Sequence, residues 1–235
     1  MAAFKAILFD LDDTLWPIVP VIERAEHILH AWLQEHVPAV AREVTIEGMR
    51  ERRQALMATD PVYQLDLRRL REAVLREAFL HHGADTGLVT LAMEVFSRAR
   101  NEVNLYPDVP VVLPQLRQAF RIGSISNGVA DLKAIGIDAL FEVSLAAHQV
   151  GVAKPDPEIF LAACRSLQLA PQEIVYVGDD PVLDIQGARA VGMAAVWLKR
   201  PQHPPRRLPA TLEPDAVCAD LHQLQQWLDM QSMQA

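Results

Sequence analysis

Cysteine is nearly absent from this chain of 235 residues. Cys164 and Cys218 stand alone, outside any CxxC or Cys/His grouping, which excludes a disulfide framework and a structural zinc site. Lysine is almost as rare. Lys5, Lys133, Lys154 and Lys199 are the only four, and the other bases are arginines. A positive excess is missing too: 22 bases against 30 acids leave a net charge of −8, which argues against a general nucleic-acid binder. No apolar run approaches the length of a membrane span. The apolar stretch at the start is too short for a signal peptide, and acids follow it directly. These absences predict a cytoplasmic protein with neither a membrane nor a nucleic-acid partner. What is present is a hydrophobic content of 51%, enough at this length to bury an ordinary core in one large domain or two small ones.

The charge is unevenly spread. Residues 17–106 hold 11 arginines, no lysine and 13 acids, whereas the remainder carries 11 bases against 17 acids. Six of those 17 fall in two windows, Asp10, Asp12 and Asp13, and Asp179, Asp180 and Asp184. Like charges packed this closely need a cation or protons to offset them, unless they sit on separate solvated turns.

Hydrophobic patterning divides the chain in the same way. KAILFDL (5–11) reads as a strand buried on both faces. From 17 to 106 the pattern is helical, with Ile22, Ala25, Leu29, Trp32 and Leu33 on one face and Gly83 as a stop. Met49, Leu56, Met57 and Phe79 read as core positions there, and the arginine runs 50–53 and 68–71 as solvated faces. After Pro107, strands at RIGSIS, VSLA, EIVYVGD, MAAVWL and AVCA alternate with helices, including 129–137, 156–168 and 184–192. This order predicts an α/β fold with a Rossmann-like parallel sheet formed by 1–16 and 107–235, and an all-helical insertion over 17–106. The proline-rich basic run 199–209 reads as a solvated loop.

Ligands of open parallel sheets lie beyond the carboxyl ends of the strands, and four predicted strand ends carry polar groups. Asp10-Leu11-Asp12-Asp13-Thr14 offers a carboxylate nucleophile and, two residues on and on the same side of an extended chain, a second carboxyl to exchange protons. An Asp-rich turn is the competing reading. Ser126-Asn127-Gly128 offers a hydroxyl and main-chain N–H groups to a phosphoryl oxygen, or else is an Asn-Gly turn. Lys154, ahead of Pro155-Asp156-Pro157, offers an ammonium, or else is a solvated lysine. Gly178-Asp179-Asp180, with Asp184, offers a tight turn and hard oxygen ligands for Mg²⁺; Asp180 and Asp184 also suit helix capping, the preferred reading for Asp180.

Taken together and in this order, the four segments resemble the haloacid dehalogenase superfamily, and the helical insertion is similar to that family's C1 cap. The resemblance implies Asp10 as nucleophile, Asp12 as general acid and base, and Ser126, Asn127 and Lys154 as phosphoryl-binding groups. It implies Mg²⁺ held by Asp10, Asp12 through its carbonyl, and Asp179, with Gly178 and Asp184 in support. The expected activity is a Mg²⁺-dependent phosphatase acting on a small phosphorylated metabolite through an aspartyl-phosphate, as a monomer or homodimer. FDLDDTL, ISNG and GDDPVLDIQGARAVGMAAVWL are similar to bacterial phosphatases of flavin metabolism, so FMN and related phosphates are candidate substrates. A 2-haloacid dehalogenase-type hydrolase and a non-enzymatic phosphoacceptor or binding protein of related fold are the alternatives. Tyr63, Arg68, Arg69, Arg98 and Asn101 are candidates for reading the leaving group. Trp16 is a candidate to stack on an aromatic one, with core packing as its other reading.

Overall fold

A computed structural model of the chain describes residues 4–202, 204 and 206–233. His203 and Pro205 of the proline-rich loop therefore lie outside the described residues. The first compact unit comprises 1–17, 104–128 and 136–235. It holds one sheet of six strands: β1 (Ala6–Phe9), β2 (Arg121–Ser126), β3 (Val143–Ala146), β4 (Ile174–Gly178), β5 (Ala194–Leu198) and β6 (Ala216–Cys218). The spatial order is β3-β2-β1-β4-β5-β6, and every pairing is parallel. β1 is central, and all four of its residues, Ala-Ile-Leu-Phe, are buried. That burial on both faces explains why its sequence is continuously apolar instead of alternating. Phe160, Ile159, Leu167 and Tyr176 join Leu8 in the core on one side.

The sheet winds outward in both directions from β1, so the strand order reverses between β1 and β4. A crevice opens at such a reversal, beyond the strand ends. Phe9 pairs with Val177 there, which sets Asp10 and Asp179 just past the ends of neighbouring strands.

The second unit, 18–103 with 129–135, is helical. Its long helices are Ile18–His36, Ile46–Met57, Leu67–His81 and Leu88–Asn101. Leu29, Leu33, Met49, Phe79 and Phe96 form its core, with Leu56 packed at the edge. Gly83, at φ 64°, follows the third of these helices in a conformation that a side chain would oppose. Among the described residues, no helix is long and apolar enough to cross a membrane.

Three sequence expectations need correction. The helix expected over 129–137 shrinks to Leu132–Ile135, because Asp131 turns its carboxylate onto the N–H groups of Lys133 and Ala134 and Gly136 takes φ 87°. The expected helix at 184–192 starts earlier, as a π-helical turn over Pro181–Gln186, since Asp180 caps Val182 and Leu183. The arginine runs are not simply solvated. Arg50 donates to Oε2 of Glu26 at 2.7 Å, while Arg53 and Arg71 reach its Oε1. Glu26 lies fully buried between Ala25 and Leu29 on the first helix, and a carboxylate in that position requires cations.

Candidate active site

Beyond β1 the chain turns sharply. Asp10 donates its main-chain N–H to Val177, Leu15 returns to the Leu11 carbonyl, and Asp13 adopts φ 65°. The extended geometry expected for Asp10-Leu11-Asp12 ends there: Asp12 forms a bridge with Trp16, and the Trp16 indole N–H donates to Asp12 Oδ1 at 2.9 Å. Trp16 is fully buried, so packing describes it better than stacking on a leaving group.

Lys154 is the hub of the site. Its ammonium lies 2.6 Å from Asp10 Oδ1, 2.7 Å from Asp184 Oδ1 and 3.0 Å from the Tyr176 hydroxyl. It is 5% exposed, which removes the reading of a solvated lysine. Burial works against its charge, yet Asp10 and Asp184 outweigh burial and hold its pKa well above the usual lysine value. Asn127 fixes the lysine's backbone: its amide donates to the Lys154 carbonyl at 3.0 Å and accepts from the Lys154 N–H at 2.8 Å. Ser126, at the end of β2, is buried and accepts from the Gly128 N–H at 2.9 Å, leaving its hydroxyl hydrogen available to donate.

The turn after β4 supplies the remaining acids. Asp184 accepts Lys154 on one oxygen and the Asp180 N–H, at 2.9 Å, on the other. It lies directly over Gly178, where a Cβ would come within 2.3 Å of its carboxyl. Close approach, and not the tight turn expected from the sequence, is the reason for glycine at 178. Asp179 projects toward Asp10, accepts from the Thr14 hydroxyl at 3.5 Å, and has its carbonyl bound by the Trp197 indole N–H.

Asp10, Asp179 and Asp184 offer carboxylate oxygens within 4.8 Å of one another. Burial raises the Asp10 pKa to about 7, with Lys154 opposing and Asp184 and Asp12 adding. Burial, then the charges of Asp10 and Asp184, raise Asp179 to about 8. Two buried acids that hold protons this tightly are short of positive charge, and hard oxygen donors of this kind suit Mg²⁺. The donor chemistry therefore fits that ion. Asp184, committed to Lys154 and a main-chain N–H, serves better as a support than as a ligand.

Tyr176, whose hydroxyl meets Lys154, escaped sequence reasoning, and so did a cation. Arg206, from the basic loop, lies 3.1 Å from Asp179 Oδ2, pairs with Asp180 and stands 4.0 Å from Asp13. The excess of acids in two windows was a signal that a cation must come from somewhere, but a proline-rich run gives no register for it. Of the candidates in the helical unit, Arg68 donates to Ser97 and Asn101 accepts from Asp131 N–H. Tyr63, Arg68 and Arg69 line a surface depression of about 440 Å³ with Asp66, Glu72 and Arg76.

Residues 4–192 match the model of a hydrolase family, the haloacid dehalogenase-like hydrolases. Over 203 residues the chain is 31% identical to the 5-amino-6-(5-phospho-D-ribitylamino)uracil phosphatase YigB of Escherichia coli (strain K12), covering 85% of each protein. It is 33% identical over 216 residues to a glyceraldehyde 3-phosphate phosphatase of Methanopyrus kandleri, covering 83% of this chain and 84% of that one. Among solved structures, one described as a 2-haloacid dehalogenase from Pseudomonas syringae pv. Tomato DC3000 superimposes with a TM-score of 0.89 at 37% identity. It covers 97% of this chain and 99% of its own.

Proposed function

The chain belongs to the haloacid dehalogenase-like hydrolase family, and from that premise we propose that it is a phosphatase of small phosphorylated metabolites, working through an aspartyl-phosphate at Asp10. The observation that carries this reading is the convergence of Asp10, Asp179 and Asp184 around the buried Lys154.

Asp10 has one oxygen held by Lys154, so the other attacks phosphorus while the bond to the leaving oxygen breaks. Asp12 gives that oxygen a proton. Asp12 then takes a proton from water as the water attacks phosphorus, the bond to Asp10 breaks, and inorganic phosphate leaves. Lys154 and the Ser126 hydroxyl face the charge on the phosphoryl oxygens. Mg²⁺, held by the carboxylates of Asp10 and Asp179 and the Asp12 carbonyl, supplies further charge neutralisation when bound. Choice of leaving group is assigned to the helical unit, in the role of a C1-type cap. The named substrates of the two phosphatase relatives are phosphates of small, hydroxylated carbon chains, and flavin-pathway phosphates, FMN included, are the first to test.

The dehalogenase reading draws on the description of the Pseudomonas structure. A halide leaves carbon as a stable anion, needing neither a proton from Asp12 nor a metal beside Asp179. A site that pairs Asp12 with clustered carboxylates suited to a metal favours an oxygen leaving group. The decisive screen measures phosphate release from FMN, 5-amino-6-(5-phospho-D-ribitylamino)uracil and glyceraldehyde 3-phosphate, and halide release from 2-chloropropionate, each with and without EDTA. Phosphate release that stops with EDTA and returns with Mg²⁺ is expected. Halide release untouched by EDTA, without phosphate release, would overturn the proposal.

Arg206 shares Asp179 with the proposed metal, so guanidinium and Mg²⁺ compete. Arg206→Gln is expected to tighten Mg²⁺ binding by up to about fivefold, the equivalent of a half-exposed ion pair of up to about 1 kcal/mol. Titration calorimetry of the metal-free protein measures it, and weaker binding in the variant would show that Arg206 supports the site instead of competing for it.

A further inference from the structure

Asp12 has two jobs in the proposed cycle, and both require one of its oxygens to face the phosphoryl group in a fixed direction. A carboxylate on a surface turn rotates freely about its terminal bond. This one is tied. The Trp16 indole N–H donates to Oδ1 at 2.9 Å, and the backbone reinforces the contact through the Asp12–Trp16 bridge and the 2.7 Å bond from Asp13 N–H to the Trp16 carbonyl. Trp16 is fully buried, a position that leucine or phenylalanine would fill without any polar demand. A buried indole N–H, by contrast, must find an acceptor. It finds the one carboxylate that has to move protons.

We propose that Trp16 is a positioning residue for proton transfer, fixing Oδ1 of Asp12 so that Oδ2 alone carries the proton to and from the reacting oxygens. The inference rests on the phosphatase reading above. In the first half-reaction, the proton on Oδ2 passes to the leaving oxygen as its bond to phosphorus breaks, and the indole N–H stays on Oδ1 throughout. In the second, the same Oδ2 receives a proton from water. Without the indole N–H this hydrogen bond is lost, and the acid presents its proton in the correct direction less of the time.

This role has a signature that a purely structural tryptophan lacks. Protonation matters for an alkoxide leaving group and hardly at all for p-nitrophenolate, which is stable as an anion. General acid catalysis contributes about 10²- to 10⁴-fold, and loss of orientation forfeits part of it. In Trp16→Phe, kcat/KM for glycerol 3-phosphate is expected to fall about tenfold more than kcat/KM for p-nitrophenyl phosphate. The discrimination is expected to vanish when Asp12→Asn is already present. Equal losses for the two substrates, or the same ratio in the Asp12→Asn background, would overturn the role.

A second measurement stands independently of whether Trp16→Phe folds. In wild-type protein the Trp16 indole N–H resonance is expected downfield and slow to exchange, and in Asp12→Asn it moves upfield and exchanges faster. A resonance indifferent to Asp12→Asn would remove the hydrogen bond and the proposal with it. Wild-type protein that turns over neither phosphate would overturn the phosphatase reading itself, and the indole resonance would still decide the hydrogen bond on its own.

Discussion

Asp10→Asn is expected to abolish phosphate release, by on the order of 10⁶-fold, the scale seen when a covalent nucleophile is removed. Asp10 is anchored through its main chain to Val177 and through Oδ1 to Lys154, so a single oxygen remains for attack. An amide in its place keeps the shape, but its oxygen is a poor nucleophile and its nitrogen cannot attack phosphorus. The fold should survive, because the change removes one of three crowded carboxylates. Circular dichroism should match the wild type while turnover is lost. Turnover retained within tenfold would remove Asp10 from the nucleophile's role.

The second large effect belongs to Lys154. Lys154→Met fills similar space but leaves Asp10, Asp179 and Asp184 within 4.8 Å of one another with no buried cation among them. Breaking a buried ion pair from one side costs about 3–5 kcal/mol. For a chain of this size that corresponds to a fall in Tm of roughly 10 °C. The loss should depend on pH, and its sign follows from the carboxylates. Asp10 already titrates near 7 in the folded protein, and Lys154 is what restrains it from going higher. A carboxyl raised above its unfolded value contributes stability that is present at low pH and lost as pH rises through the folded pKa. The variant should therefore be closest to wild type near pH 6 and furthest from it near pH 8. Phosphatase turnover should fall by about 10²- to 10³-fold, as when one oxyanion donor is lost. A variant as stable as wild type at pH 8 would contradict the ion-pair account of the site.

The parts of this architecture that the sequence made legible are those set by short-range rules. RIGSIS became β2 and VSLA became β3, and the buried run at KAILFDL became the central strand, since apolar runs bounded by polar turns have few alternatives in a parallel sheet. Asp180 as a cap and Pro157 in a first helical turn were equally local. Because acids followed strands at both β1 and β4, their meeting depended only on strand order. What escaped was decided by partners distant in sequence or by a local geometry that composition does not encode. The arginine runs 50–53 and 68–71 read as solvated faces, yet Arg50, Arg53 and Arg71, from two other helices, meet the buried Glu26. Gly178 was read as a turn residue because Asp184, six positions later, could not be seen folding back over it. Asn127 was assigned a main-chain role, whereas its side chain clamps the Lys154 backbone 27 residues away. Trp16 is only four residues from Asp12, but the left-handed turn at Asp13 that brings them together has no glycine to announce it.

The net charge of −8 takes on a different meaning once the site is assembled. An acidic protein acting on an anion appears contradictory only at the scale of the whole chain. At the scale of the crevice, Lys154 and Arg206 stand among the acids, and Asp10 and Asp179, whose carboxyls burial pushes up, mark where one more cation would be received.

A covalent phosphoryl group on Asp10 can be trapped by acid-quenched mass spectrometry during turnover of a phosphate monoester with Mg²⁺. The account predicts a peptide spanning Asp10 that is heavier by one phosphoryl group and labile to hydroxylamine. It also predicts that this species is missing in Asp10→Asn and that ¹⁸O from labelled water appears in the released phosphate. Phosphate release with no phosphorylated Asp10 peptide under any quench, or ¹⁸O entering the Asp10 carboxylate instead of phosphate, would contradict it.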